Sequence, residues 1–248
     1  MVTIKCRNQT FSGIKAVIFD KDGTLADSQQ FLRELGQKRA RLLDAKIPGI
    51  GDPLLMAFGI EEGTINPMGL MAVGSRYENE IAAAAYVAET GRGWLESIDI
   101  AKAAFWEADQ HFTPDAETSP LFTGCLETLQ TLSQAGLKLA ILSADTPEGV
   151  EAFIQRHDLS SYIQLAQGVS SGEVSKPDPK LFLHTCEKLG VEAHQSLMVG
   201  DSPGDMQMGK QAGAAGVIGI AWENREANHL EEADCAIAQL DELKIKPS

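Results

Sequence analysis

The 248-residue chain has no run of 18 or more apolar residues, so no transmembrane helix is predicted. Its start, Met1 to Thr10, carries Lys5 and Arg7 but lacks the apolar stretch and small-residue cleavage site of a signal peptide. A soluble, cytoplasmic protein is expected. Cysteine is scarce: Cys6, Cys125, Cys186 and Cys235 lie far apart and form no Cys-x-x-Cys pair. That argues against zinc ligation and predicts reduced, mostly buried thiols. Positive charge is also short, with 21 Lys and Arg against 35 Asp and Glu, a net charge of −14. General nucleic-acid and anionic-membrane surfaces are thereby disfavoured, since both reward a basic face. The five histidines fall at no metal spacing, and none follows a Gly-x-Ser-x-Gly motif. The glycine-rich stretch Gly213–Gly219 lacks the Lys-Ser/Thr pair of a phosphate loop. No internal repeat or low-complexity segment stands out.

What remains is informative. Hydrophobic residues make up 44% of the chain, enough for a substantial core in one large or two modest domains. The run Ala16-Val17-Ile18-Phe19 ends in Asp20-Lys21-Asp22-Gly23-Thr24-Leu25. An apolar run of β type ending in Asp-x-Asp-Gly puts two carboxylates at the carboxyl end of a buried strand, and the glycine permits a sharp turn. Carboxylates that close repel one another unless a cation sits beside them. The pattern suits magnesium-assisted attack by one carboxylate on a phosphoryl group. Taken alone, it is equally a solvated strand-end turn, since Asp and Gly are ordinary turn residues.

Three further segments weigh on the choice. Leu139–Leu142 is an apolar strand pattern ending in Ser143-Ala144-Asp145-Thr146; Ser175-Lys176-Pro177-Asp178-Pro179 holds a lysine before a helix start; Leu197–Gly200 ends in Asp201-Ser202-Pro203-Gly204-Asp205. Separately, Ser143 reads as a helix cap, Lys176 as a surface charge, and Asp201 and Asp205 as loop residues. Their order along the chain is what those readings leave unexplained. Acidic strand end, hydroxyl strand end, lysine, acidic strand end: the sequence resembles the haloacid dehalogenase-like hydrolase superfamily, and most of all its phosphoglycolate phosphatase-type branch.

The resemblance implies an α/β fold: a Rossmann-like parallel sheet with helices on both faces and an inserted α-helical cap domain. The residue pattern agrees. After residue 115, strand and helix alternate in short units, as in a parallel sheet covered on both faces. Helices are predicted at Gly124–Gln134, Pro147–His157, Pro179–Leu189 and Pro203–Ala212, with strands at Leu137–Leu142, Tyr162–Ala166, Leu197–Gly200, Gly216–Ala221 and near Cys235–Ala238. Ile14–Phe19 reads as the first core strand. From Ser28 to Phe112 the pattern is helical with no convincing strand: Phe31 to Ile47, Ile81–Ala88 and Leu95 to Phe112 each recur near helical spacing. A core of 1–24 with 115–248 and a cap of 25–114 are expected. Trp94 and Trp106 are expected in the cap core, and Arg33, Lys38, Arg39 and Arg41 on a solvated face.

The resemblance also implies roles. Asp20 would be the nucleophile that forms an aspartyl-phosphate, and Asp22 the acid and base that serves the leaving oxygen and then the water. Asp20, Asp22 (through its backbone carbonyl), Asp201 and Asp205 would hold Mg2+. Ser143 and nearby backbone groups such as that of Ala144 would take the phosphoryl oxygens, with Lys176 balancing charge. Asp145 stands where Asn or Gly is more usual, and reads as a cap for the helix after it. The implied partner is a small phosphorylated metabolite, with phosphoglycolate and sugar phosphates as candidates. A sugar-phosphate mutase resembling β-phosphoglucomutase shares every core residue; Gly74-Ser75-Arg76 faintly resembles a cap stretch of such enzymes, which makes Arg76 a candidate substrate contact beside its reading as a solvated arginine. Dehalogenation is disfavoured because Asp22 is present. A non-catalytic binder of phospholigands or proteins stays open, though every catalytic position holds a competent residue.

Overall fold

The computed structural model describes residues 2–112, 114–115, 117–222 and 228–246. The chain divides into two compact units, Met1–Asp27 with Leu121–Ser248, and Ser28–Pro120. Strands β1 (Val2–Cys6), β2 (Gln9–Ile14) and β3 (Ala16–Phe19) open the first unit. The second holds α1 (Gln29–Lys46), α2 (Gly51–Phe58), β4 (Ile60–Glu61), β5 (Thr64–Ile65), α3 (Leu70–Val73), α4 (Arg76–Glu89) and α5 (Trp94–His111). The chain then returns to the first unit through α6 (Cys125–Gln134), β6 (Lys138–Leu142), α7 (Pro147–Arg156), β7 (Ile163–Gln167), α8 (Pro179–Leu189), β8 (Ser196–Gly200), α9 (Pro203–Gln211), β9 (Gly216–Ile220), β10 (Cys235–Ile237) and β11 (Leu243–Ile245). Among the described residues no helix is long and apolar enough to cross a membrane.

Six strands form a parallel sheet in the order β10-β9-β8-β3-β6-β7. Strand β3 lies at its centre and is buried along its whole length. Its residues alternate between two cores, which is why it reads as an unbroken apolar run. Val17 and Phe19 pack with Leu129, Leu132, Val150 and Phe153 of α6 and α7. Ala16 and Ile18 pack with Phe182 and Cys186 of α8 and Met206 and Met208 of α9. Helices therefore cover both faces, as the sequence predicts.

The start of the chain departs from expectation. Ile14 belongs to β2, not to the central strand, and β1 and β2 join β11 in a separate antiparallel sheet of order β11-β1-β2. Ile4 and Cys6 of β1 and Leu243 of β11 face the α6–α7 core. Lys15 separates the two sheets in sequence, and the ribbon packs Ile4, Cys6, Ile14 and Leu243 into that core. All four cysteines are free and buried.

The helical unit has its own core. Leu35, Leu43, Leu54, Phe58, Val87 and Phe105 pack with Ala83, Ala84, Ala101, Ala104 and Ala108. Helices α4 and α5 meet through those alanines, which leaves little room for large rings between them. Trp94 and Trp106 accordingly project outward at 47% and 63% exposure, against the expectation of a core position for them, and Leu95 is 77% exposed. The two-residue strands β4 and β5 form a hairpin in a region predicted to lack strands. Helix α2 ends at Gly59 in the left-handed conformation, the usual helix stop. Arg39, expected on a solvated face, is buried: its guanidinium lies 4.3 Å from the centre of the Phe105 ring and 3.1 Å from Asp109.

Candidate active site at the strand ends

Sheet register brings the acidic residues to one edge. Phe19 pairs with Ile141 of β6 on one side and Val199 of β8 on the other. Asp20 is thus level with Leu142 and Gly200, and Ser143 and Asp201 follow one residue beyond their strands. The Asp20 N–H still donates to the Val199 carbonyl (2.8 Å), so the nucleophile candidate is fixed by the sheet itself. In open parallel sheets ligands bind beyond the carboxyl ends of the strands.

Asp20, Asp201 and Asp205 offer carboxylate oxygens within 4.8 Å of one another. Lys176 faces two of them, with its Nζ 2.5 Å from Asp20 and 2.7 Å from Asp205. Asp205 is buried at the third position of α9, where its other oxygen accepts from the Ser202 N–H (3.2 Å) and hydroxyl (2.6 Å) in a reciprocal cap. Lys176 lies two residues before Asp178, whose side chain caps α8 through the Lys180 N–H. The turn after β3 is tight at Gly23, whose φ is +81°; a Cβ there would meet the Asp201 carboxylate at 2.0 Å. Only glycine lets that carboxylate approach. Asp201 also accepts from the Thr24 hydroxyl at 3.3 Å.

Burial raises the Asp20 pKa to about 7 despite Lys176, with Asp205 and Asp22 adding to the rise. Withdrawal from water likewise holds Asp201 well above the usual carboxylate range, reinforced by Asp20 and Asp205. Burial disfavours the Lys176 ammonium, but Asp20 and Asp205 outweigh it and raise its pKa. Lys176 pairs with two of the three carboxylates, and among the described ion pairs Asp201 has none. Hard oxygen donors with surplus negative charge fit a divalent cation, so the residues present suit the metal that the fold implies.

The other expected residues divide. Ser143 is buried at the end of β6, and its Oγ accepts from the Asp145 N–H (3.1 Å). The Asp22 carboxylate is not in the three-acid group: Lys21 Nζ holds it at 2.7 Å. Lys21 also pairs with Asp145 (3.0 Å), while the cap of α7 is Thr146, whose hydroxyl accepts from the Gly149 N–H. Asp145 is therefore an ion-pair partner and not the helix cap it reads as. Arg76 belongs to the helical unit, where its guanidinium meets Glu80 at 2.9 Å and Asp109 at 2.6 Å.

Some neighbours escaped the sequence reading. The Trp222 indole donates to the Thr24 carbonyl (3.3 Å) and stacks on Phe122 at 4.1 Å. His229 Nε2 lies 3.0 Å from the Asp201 carbonyl. Their partners are distant in sequence and carry no local signal. Lys21 did carry one, being a cation set between two acids. A separate groove of about 560 Å³ runs beside β7 and α8, lined by Gln167, Lys180, His184 and Lys188 among others, and none of the three clustered carboxylates lines it.

A family model described as haloacid dehalogenase-like hydrolase matches residues 14–213. The phosphoglycolate phosphatase of Rhodospirillum rubrum is 31% identical over 219 residues, covering 86% of this chain and 82% of that protein. The phosphoglycolate phosphatase of Pseudomonas syringae pathovar tomato is 29% identical over 247 residues, covering 95% of this chain and 80% of that protein. A solved structure from Haemophilus somnus, described as a predicted phosphoglycolate phosphatase, superposes with a TM-score of 0.68 at 23% identity. It covers 92% of this chain and 96% of that one, a likeness of fold.

Proposed function

The chain belongs to the haloacid dehalogenase-like hydrolases, in their phosphoglycolate phosphatase-type branch, as a phosphoric monoester hydrolase, and from that premise we propose a magnesium-dependent phosphatase of a small phosphorylated metabolite. Phosphoglycolate is the first candidate, because the relatives named above carry that activity in their names. Sugar phosphates are the next. The observation that carries the reading is the cluster of three carboxylates beyond the carboxyl ends of β3 and β8, two of them paired with Lys176.

In this mechanism an Asp20 carboxylate oxygen attacks phosphorus and the bond to the leaving oxygen breaks. Asp22 supplies the proton that the leaving oxygen takes up. It then removes a proton from the water that cleaves the acyl phosphate, freeing inorganic phosphate and restoring Asp20. Ser143 and the backbone at Ala144 take the phosphoryl oxygens, and Lys176 keeps Asp20 oriented and offsets charge. Magnesium, held by Asp20, Asp201, Asp205 and the Asp22 backbone carbonyl, would supply neutralisation of the phosphoryl charge. We assign Ser28–Pro120 as the cap that the resemblance implies; none of the clustered carboxylates comes from it. Arg76 is assigned to that unit's internal ion pairs and not to substrate.

The test is phosphate release from a panel of phosphoesters, including phosphoglycolate and p-nitrophenyl phosphate, with and without magnesium. Magnesium-dependent release is expected, and Asp20→Asn should lower it at least about 10³-fold with the fold retained. Full activity in that variant would exclude the covalent route.

A further inference from the structure

We propose that Lys21 is a positioning residue: gripped by Asp145 and Asp22 together, it sets the direction of the carboxylate that transfers the proton. The proposal rests on the reading of Asp22 given above. Lys21 is 6% exposed, and its Nζ touches both Asp22 oxygens, Oδ1 at 2.8 Å and Oδ2 at 2.7 Å. Contact with both oxygens restrains rotation of the carboxylate about its last bond, which a single hydrogen bond would leave free. The ammonium also lies 5.7 Å from the centre of the Phe153 ring, so an apolar wall stands beside it.

Asp145 anchors the lysine from the loop between the neighbouring strand β6 and α7. Its Oδ2 lies 3.0 Å from Lys21, and its Oδ1 accepts from the Thr146 N–H (2.7 Å). Its own N–H donates to Ser143 Oγ. A Cβ on Gly149, in the first turn of α7, would meet the Asp145 carboxylate at 2.4 Å, so this approach is possible only because that residue has no side chain. A continuous path thus runs from the start of α7 through Asp145 and Lys21 to Asp22, and ties the end of β6 to the end of β3. The two buried lysines divide the acids between them. Lys176 takes Asp20 and Asp205; Lys21 takes Asp22 and Asp145. Two carboxylates only two residues apart are thereby committed to different cations and held apart. An isolated buried ammonium is costly, and the two acids that compensate for it are Asp22 and the one beside Ser143.

The experiment compares two leaving groups. A p-nitrophenolate departs without a proton, whereas the alkoxide of phosphoglycolate needs one. For both esters kcat/KM is measured in the wild type, in Lys21→Met, and in the double variant Lys21→Met with Asp145→Asn. Lys21→Met should lose about 10²-fold on phosphoglycolate and less than about 5-fold on p-nitrophenyl phosphate. The double variant removes one cation and one anion, so its melting temperature should return to within about 2 °C of the wild type. It should keep the loss on phosphoglycolate. Equal losses on both esters, or recovery on phosphoglycolate in the double variant, would reduce Lys21 to a structural charge and overturn the proposal. If Lys21→Met fails to fold, the double variant alone decides by the same ratio of losses. A wild-type protein inert toward both esters removes the phosphatase reading, and the proposal falls with it.

Discussion

In the α/β unit, Lys21 and Lys176 stand among five carboxylates, those of Asp20, Asp22, Asp145, Asp201 and Asp205. In the helical unit, Arg39 and Arg76 meet two among the described ion pairs, those of Glu80 and Asp109. Both units bury ionised groups, and both anchor them to regular secondary structure. The charge balance differs. Matched charges satisfy one another and hold helices together, while a surplus of one sign raises the free energy of the fold unless something else binds. The matched charges of the helical unit are what a structural network looks like, and the surplus acids of the α/β unit are what a site for a cation looks like. Proteins accept such unsatisfied charge where function needs it.

The contrast is sharpest when the same chemical change is made in each unit. Asp109→Asn keeps the shape but removes the charge shared by Arg39 (3.1 Å) and Arg76 (2.6 Å), on helices α1 and α4. The expected cost is about 2 kcal/mol, below the full penalty for breaking a buried pair because Asp109 is partly exposed. In thermal unfolding this is a fall of about 5 °C. A melting point unchanged by Asp109→Asn would mean that the helical network is ornamental and would break the comparison.

Asp201→Asn should move stability the other way. Asp201 has no cation of its own among the described ion pairs, and it faces Asp20 and Asp205. An amide still accepts from the Thr24 hydroxyl. In chelator-treated protein the melting point is expected to rise by about 2–3 °C, equivalent to about 1 kcal/mol of relieved repulsion. Magnesium should then stabilise the wild type, by about 2.7 kcal/mol at a hundredfold excess over its dissociation constant, and the variant much less. A metal-free variant less stable than the wild type would show that the acids are already neutralised within the chain.

These opposite signs also mark how far the sequence could be read. Asp20, Ser143 and Asp201 were legible because each ends a strand buried on both faces, which leaves a continuous apolar run in the sequence. Helix α8 was legible to the residue, from Pro179 after its cap to Gly190. The β1–β2–β11 sheet was not, since its strands come from opposite ends of the chain and expose alternate residues at an edge. Trp94, Trp106 and Arg39 were misplaced for one reason: alanines carry the α4–α5 contact, so the tryptophans turn outward, while the arginine enters to meet Asp109 and Phe105. Hydrophobicity ranks residues, but which face of a helix meets a neighbour is settled by packing. The Lys21–Asp145 pair joins positions far apart in the chain and needed the register of β3 with β6 to appear.

An ion pair open to water calibrates both buried networks. Arg7 Nε lies 2.5 Å from Glu242, with side chains 49% and 26% exposed. The hydrogen bond from Arg7 lowers the Glu242 pKa below its ordinary 4.5, burial opposes this, and the Ala238 N–H adds to the lowering. A carboxylate more acidic in the folded state stabilises the fold at pH values above its unfolded pKa. That contribution fades as pH falls through the lowered folded value. Arg7→Met should therefore destabilise by no more than about 0.5 kcal/mol at neutral pH and low salt. The difference from the wild type should shrink below pH 4.5, and salt should remove most of it at any pH. The substitutions at Asp109 and Asp201 should respond less to salt, because Asp109 pairs with the buried Arg39 and Asp201 faces the buried Asp20 and Asp205. If salt abolished all three effects alike, the distinction between matched and surplus buried charge would lose its physical basis.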